Sequence, residues 1–405
     1  MIAGRFAGEN ALAAVGASYP ITIIFMAFAV GMNLGASVVV SRLFGAEDRG
    51  GVKRAVTTAF LSSMVLGIML TLFGYFFNHQ MMRWIRTPEN IMADGVLYLK
   101  IYIIFLMLYN VCTGVFTALG DSKTPLYFLL GSSAGNIILD YIFVAKFQWG
   151  VSGVAWATFI AQGVSAVLAL VTLLGRLQKF AGKEKQSWFD KKLFAQIMAI
   201  AIPSILQQSV LSVGNLFVQG IVNQFGSAVV AGYSGAIKLN TFAINIFMTL
   251  GSCLSSYTAQ NIGAGKKERI PLGFRTGVKL SELTALPFVI LYFIFSRQMM
   301  GLFLGAESVE AISAGMAFLK IVSPWYFMIV IKLMTDGIIR GSGAMVYFVV
   351  ATVPDLILRI GFALVLTKSF GSTGIWMAWP FGWIVATTLT LIFYRKLGYK
   401  NDKSS

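Results

Sequence analysis

Apolar residues fall in long blocks along the chain, separated by short polar turns. Eleven blocks stand out, at 11–41, 55–77, 96–119, 126–145, 151–174, 193–223, 229–258, 280–295, 316–339, 345–366 and 374–394. An α-helix needs about 20 apolar residues to cross a bilayer core, and the blocks match that length. The longer ones predict tilted spans or spans with interfacial turns. No ten-residue alternating pattern of the kind a membrane β-barrel needs is present. Lipid offers no partner to backbone N–H and C=O groups, so helices are the remaining solution. The pattern therefore predicts an all-α, polytopic membrane protein. The longest polar run, GRLQKFAGKEKQSWFDKK at 175–192, reads as a cytosolic linker between two membrane lobes, 1–174 and 193–395, with 396–405 a cytosolic tail.

Charge supports an orientation. One alternating set of loops carries Arg42, Arg49, Lys53, Arg54, Lys123, six basic residues of the linker, Lys266, Lys267, Arg269, Arg275, Lys279, Arg340, Arg395, Lys396, Lys400 and Lys403, 21 in all. The other set carries eight: Arg5, Arg83, Arg86, Lys100, Lys146, Arg297, Lys320 and Lys368. Basic-rich loops stay in the cytosol. The linker and C-terminus are thus expected inside, in a multi-pass protein of the cell membrane whose first residues lie outside.

Composition agrees. Hydrophobic residues make up 57% and charged residues 12% of the 405, against about 25% charged in soluble domains. Mean hydropathy is +0.77. The net charge of +16 is not a nucleic-acid footprint, because the basic residues sit between apolar blocks and not on one soluble face. Cys112 and Cys253 lie in apolar stretches and read as packing residues. No secretory leader is evident at MIAGRFAGEN.

The chain repeats itself. RLFGAEDRGGVKR at 42–54 resembles QNIGAGKKERIPL at 260–272, pairing Gly45 with Gly263 at an offset of 218. The same offset pairs Gly8 with Gly226 and Ala13 with Ala231. TALGDSKTP at 117–125 faces RGSGAMVYF at 340–348, and GVSGVAWA at 150–157 faces GSTGIWMA at 371–378 at an offset of 221. The partner of the 193–223 block would lie mostly before Met1. The expected design is six plus six spans in two pseudo-symmetric lobes, eleven of the twelve being present. Repeats with an even number of spans are parallel, and transporters built this way bind substrate between the halves.

Polar groups inside spans are costly and point to function. Asn136 and Asp140, in GNIILDYIF, are one helical turn apart and share a face. A carboxylate backed by an amide can carry a proton or coordinate Na⁺ through hard oxygens. A helix–helix hydrogen bond explains the spacing as well. Thr158 in the next span offers a hydroxyl, or a packing contact. Asp336 stands four residues from both Lys332 and Arg340, and Asp355 four before Arg359, so both are expected as neutralised structural pairs, with a gating switch as the alternative. A paired carboxylate binds a proton less readily, which favours Asp140 as the titrating group. Lys238, Gln207 and Gln208 are further polar groups in spans, the amides following Pro203. Gly31 with Gly35 and Gly131 with Gly135 are expected to let helices approach. The single His79, in FFNHQMM, is placed in an external loop. No GxSxG, P-loop or HExxH pattern occurs, so neither an enzyme nor a nucleotide-driven pump is expected.

In these strings the chain resembles the multidrug and toxic compound extrusion (MATE) family: GRFAGENALAAVGAS, the SRLFGAEDR/AQNIGAGKKER pair, ALGDSKTP, GNIILD followed by GVSGVAWAT, and RGSG, in order along the whole length. The resemblance implies two six-helix lobes and export of organic cations or drugs by a monomer, with Na⁺ or H⁺ influx as the drive and no cofactor. In similar members an N-lobe cation site uses the first, fifth and sixth helices; its Asn and Asp match Asn136 and Asp140, its Thr matches Thr158, and Asn110 borders the pocket. The first-helix Asp of that site would fall before Met1. Other members use acidic residues of the seventh and tenth helices; here Gln207 and Gln208 stand on the seventh and Asp336 on the tenth. Gln207, Lys238, Asp336 and Asp355 complete the candidate cavity and coupling residues. Two alternatives remain: a lipid-linked oligosaccharide flippase of the same superfamily, which would need a cationic cavity, and an inactive remnant lacking one helix.

Overall fold

The computed structural model describes residues 9–85, 87–102, 106–180, 188–301, 303–304 and 308–399. Arg5, Arg86, the linker residues Lys183 and Lys185, Lys400 and Lys403 lie outside the described residues. The described chain is helical: α1 Glu9–Gly45, α2 Arg49–Trp84, α3 Glu89–Tyr102, α4 Leu106–Ala118, α5 Lys123–Asp140, a π-helical turn Tyr141–Lys146, α6 Gly150–Phe180 and α7 Lys191–Val222. After the short turn Asn223–Phe225 come α8 Ser227–Gly263, α9 Arg269–Ile294, α10 Ser296–Gly301, α11 Val309–Val322, a 3₁₀ turn Ser323–Trp325, α12 Tyr326–Gly341, α13 Met345–Phe370 and α14 Ser372–Lys396. No strand occurs among the described residues.

Among the described residues, ten helical stretches are long and apolar enough to cross a membrane. The block at 96–119 falls on α3 and α4, which lie on either side of 103–105, outside the described residues. Helices also overrun the apolar blocks, because polar residues extend a helix past the lipid boundary without loss of hydrogen bonding. α2 extends to Trp84 and so takes in His79, which is in a helix and not in a loop.

The chain divides into two compact units, Met1–Ser209 and Val210–Ser405. The division falls inside α7. In the first unit α1 packs on α2, α3 and α4, and α5 pairs with α6. Asn33 on α1 donates to the backbone oxygen of Asn110 on α4 at 2.8 Å. Gly31 and Gly35 lie against Ala201 and Ile197 of α7, as their spacing predicts. Gly131 and Gly135 do not pack: a Cβ there would meet nothing within 4 Å.

The start of α7 is tied down locally. Asp190 accepts from the N–H groups of Lys192 and Leu193 at 2.8 and 3.2 Å, a helix N-cap. Its own N–H donates to Thr58 at 3.0 Å. Asp121 serves α5 in the same way, accepting from Lys123 and Thr124 at 3.0 Å each, while Arg176 at the end of α6 closes on its other oxygen.

The second unit is built on α8, which packs on α11 and α12, and on the α13–α14 pair. Its core is aromatic: Tyr233, Phe247, Phe318, Tyr326, Trp376, Trp379 and Trp383 are buried together. Gly251, Gly337 and Gly341 bring α8 and α12 into backbone contact.

Candidate functional site

Helices α5 and α6 are antiparallel neighbours joined by the π-helical turn and a short aromatic corner, in which Phe143 stacks on Trp149 at 4.9 Å. Three side-chain hydrogen bonds join the pair, each one helical turn from the next. Ser165 donates to the Phe128 carbonyl at 3.4 Å, Ser132 to the Ala161 carbonyl at 3.2 Å, and Asn136 to the hydroxyl of Thr158 at 3.3 Å. Thr158 in turn donates to the Val154 carbonyl at 3.0 Å. Its hydroxyl is therefore fixed as an acceptor toward Asn136.

Asn136 and Thr158 line a cavity of about 270 Å³. α1 contributes Met26, α4 Tyr109 and Asn110, α5 Leu129, Ser132, Ser133 and Asn136, and α6 Thr158, Ala161 and Gln162. Four helices thus converge on a pocket lined by amides, hydroxyls and a few apolar groups, with no charged side chain. Of the sequence candidates, Asn110, Asn136 and Thr158 are brought together here. Ser132, Ser133, Gln162, Tyr109 and Met26 are additions. Helical spacing signals two of them: Ser132 is four residues before Asn136 and Gln162 four after Thr158, each pair on one face.

Asp140 lies one turn beyond Asn136, at the last residue of α5, and is not in the cavity lining. It is half-buried, and its Oδ1 has no hydrogen-bond partner. A buried oxygen without a partner costs about 1–3 kcal/mol, more for a charged group, and a bound cation or proton relieves that cost. Oxygen donors of this hardness suit Na⁺ or H⁺ and not a soft metal. Among the described residues no group of three or more His, Cys, Asp or Glu could hold a metal ion.

The remaining candidates are elsewhere. Lys332 and Asp336 form the expected ion pair on α12, 2.8 Å apart and both buried. Asp355 and Arg359 are buried on α13 but do not pair, against the expectation from their four-residue spacing: the Arg359 guanidinium lies 4.6 Å over the ring of Trp379 instead. Aromatic faces attract guanidinium groups, so Trp379 competes with the carboxylate. Gln207 is half-buried on α7, and Lys238 is exposed on α8.

Comparison with known proteins bears on the whole chain. The family model MatE matches residues 1–142 and 203–365. The "Probable multidrug resistance protein YpnP" of Bacillus subtilis is 27% identical over 397 residues, covering 97% of this chain and 88% of that protein. The "Multidrug export protein MepA" of Staphylococcus aureus is 21% identical over 375 residues, covering 92% of this chain and 82% of that protein. Among solved structures, an outward-facing multidrug resistance MATE family transporter of the MOP superfamily superposes with a TM-score of 0.91 at 21% identity, covering all of this chain and 92% of that one.

Proposed function

The chain belongs to the MatE family, whose members are transporters and not enzymes, and on that premise we propose that it exports drug-like organic cations across the cell membrane in exchange for inward Na⁺ or H⁺. One observation carries the ion coupling. Asp140 holds an unpartnered carboxylate oxygen one helical turn from the Asn136–Thr158 contact that lines the uncharged cavity. An ionisable residue in a span is stable when it holds a cation and strained when it does not. That difference is what an exchanger must couple to substrate movement. The names of the relatives support multidrug efflux, and the uncharged lining speaks against a pyrophosphate-carrying lipid, which would call for cationic groups. The basic-rich helix ends face the cytosol in this reading, with the C-terminus inside.

The test is ethidium export by the full chain in proteoliposomes under an imposed proton or sodium gradient. Asp140→Asn should stop gradient-driven export while leaving the protein folded, as judged by its elution and melting in detergent. Export by Asp140→Asn at the wild-type rate would remove Asp140 from the mechanism.

A further inference from the structure

The two units repeat one another closely enough to be compared position by position. Gly120 and Gly343 both adopt left-handed backbone, at φ +81° and +77°, before the fifth helix and its counterpart. Gly150 and Gly371 do so, at φ +56° and +59°, just after them. The offset is 223 at the first pair and 221 at the second. The π-helical turn and the corner 147–149 take up the two extra residues. In this register Ser132 corresponds to Asp355, Asn136 to Arg359, Thr158 to Trp379 and Ala161 to Gly382.

The contacts correspond too. Where Ser132 meets Ala161, Asp355 Oδ1 abuts Gly382; where Asn136 meets Thr158, Arg359 lies over Trp379. The first unit holds two neutral hydrogen bonds at these positions, and the second an acid and a base. Asp355 and Arg359 are each 5% exposed, and neither Asp355 Oδ1 nor Arg359 Nε has a hydrogen-bond partner. Their Cβ atoms, four residues apart on one helix, are about 5–6 Å apart, so a turn of the Arg359 side chain closes the ion pair.

We propose that Asp355 is a second cation-exchange site, at which a proton and the Arg359 guanidinium compete for one buried carboxylate. This rests on the reading of the chain as a cation-driven exporter. In one state Asp355 is protonated and Arg359 lies on Trp379. In the other the proton has left for water, and Arg359 swings from the ring to pair with the carboxylate. The surroundings favour a proton over a metal ion, because hard metal cations gather several oxygen donors and Gly382 brings no side chain to Asp355. The other charged or titratable groups around α13 are already engaged or are neutral. From α12, Lys332 and Asp336 are closed on each other, and Arg340 lies over Phe348 at 5.3 Å. α14 carries no acid or base between Ser372 and Phe393. α8 presents Tyr233, stacked on Trp376 at 5.1 Å. The second half of α7, where Gly214 meets Leu356 beside Asp355, has no titratable side chain.

The experiment uses the full chain in proteoliposomes, with ethidium as substrate and a trapped pH dye reporting proton movement. Asp355→Asn should cut proton-driven export at least tenfold while ethidium binding in detergent stays within twofold of wild type. Arg359→Met removes the competitor. An opposite charge nearby favours the ionised carboxylate, so its loss should move the pH of half-maximal export upward by about a unit. Gly382→Ala keeps every ionisable group and displaces Asp355; should Asp355→Asn fail to fold, a shifted pH midpoint in Gly382→Ala supports the site and an unmoved one overturns it. Normal export by Asp355→Asn alongside lost export by Asp140→Asn overturns this site and leaves the exporter reading standing. No ethidium movement by the wild-type chain under either gradient overturns both. Loss of sodium-driven export alone in Asp355→Asn overturns the assignment to a proton.

Discussion

Alanine at Gly251 tests whether the α8–α12 contact is the structural spine of the second unit. A Cβ added there would come 2.7 Å from the Leu333 carbonyl oxygen, where ordinary contact starts at 3.4 Å. The atom it meets is backbone, which cannot swing away as a side-chain tip can. The two helices would have to part by about 0.7 Å, and a radial gap of that size forfeits a quarter to a half of each contact it opens. The cost of such overpacking is typically about 1–3 kcal/mol. Gly337 sits directly opposite, its added Cβ meeting the Gly251 carbonyl, so the double Gly251→Ala/Gly337→Ala variant should cost less than the two single costs together, because one separation relieves both clashes. For a unit of this size 1 kcal/mol is worth about 2–4 °C. Melting followed in detergent by tryptophan fluorescence should therefore drop by roughly 2–12 °C for either single variant. Gly135→Ala is the control: nothing lies within 4 Å, and alanine in place of an unconstrained glycine should gain about 0.4–1 kcal/mol. Equal melting temperatures for Gly251→Ala and Gly135→Ala would refute the close-contact argument.

Two further predictions concern charge. Asp336→Asn leaves Lys332 buried without its partner, which should cost about 3–5 kcal/mol, whereas the double Lys332→Met/Asp336→Leu should melt near wild type; a single variant as stable as wild type would mean that water reaches the pair. Asp121 is pushed up by burial, but the Thr124 hydroxyl and N–H and the Arg176 guanidinium outweigh this and hold its carboxyl down at about 2. A folded value below the ordinary 3.8 stabilises the protein above pH 3.8, and that contribution is lost as pH falls through about 2. The melting difference between wild type and Asp121→Asn should be constant down to about pH 4 and shrink below it, and a difference that does not depend on pH would disprove the ionic contribution.

Much of this fold is legible from hydropathy, because a membrane-crossing helix must repeat one property for its full length. Hydropathy does not mark where a helix ends: α2 runs on to Trp84 and takes in His79, which the apolar blocks leave in a loop. Small-residue spacing is equally blind to neighbours: Gly31 and Gly35 meet α7, while Gly131 and Gly135, at the same spacing, meet nothing. The Asn136–Thr158 contact was readable, since Asn136 shares a helical face with Asp140 and Thr158 follows on the adjacent span. Ser132 and Gln162 do not stand out in the sequence, because a serine or glutamine is conspicuous only once the helix beside it is known.

Identical spacings with opposite outcomes show where local reasoning ends. Lys332–Asp336 and Asp355–Arg359 are both acid–base pairs four residues apart on one helix. The first closes and the second does not. The intrinsic gain of such a pair on a helix is only about 0.2–0.5 kcal/mol, and an aromatic face offers a guanidinium about 0.5–1 kcal/mol or more. A third party therefore decides, and for Arg359 that party is Trp379, two turns into the next helix. The repeat places Thr158 at the matching point of the first unit, where the neighbour of Asn136 is a hydroxyl. Glycines at left-handed positions recur at the ends of both helix pairs, while the residue across each pair differs. At the matching positions of the two helix pairs, one unit thus holds neutral hydrogen bonds and the other an acid and a guanidinium drawn away from it, on backbones that share their left-handed turns.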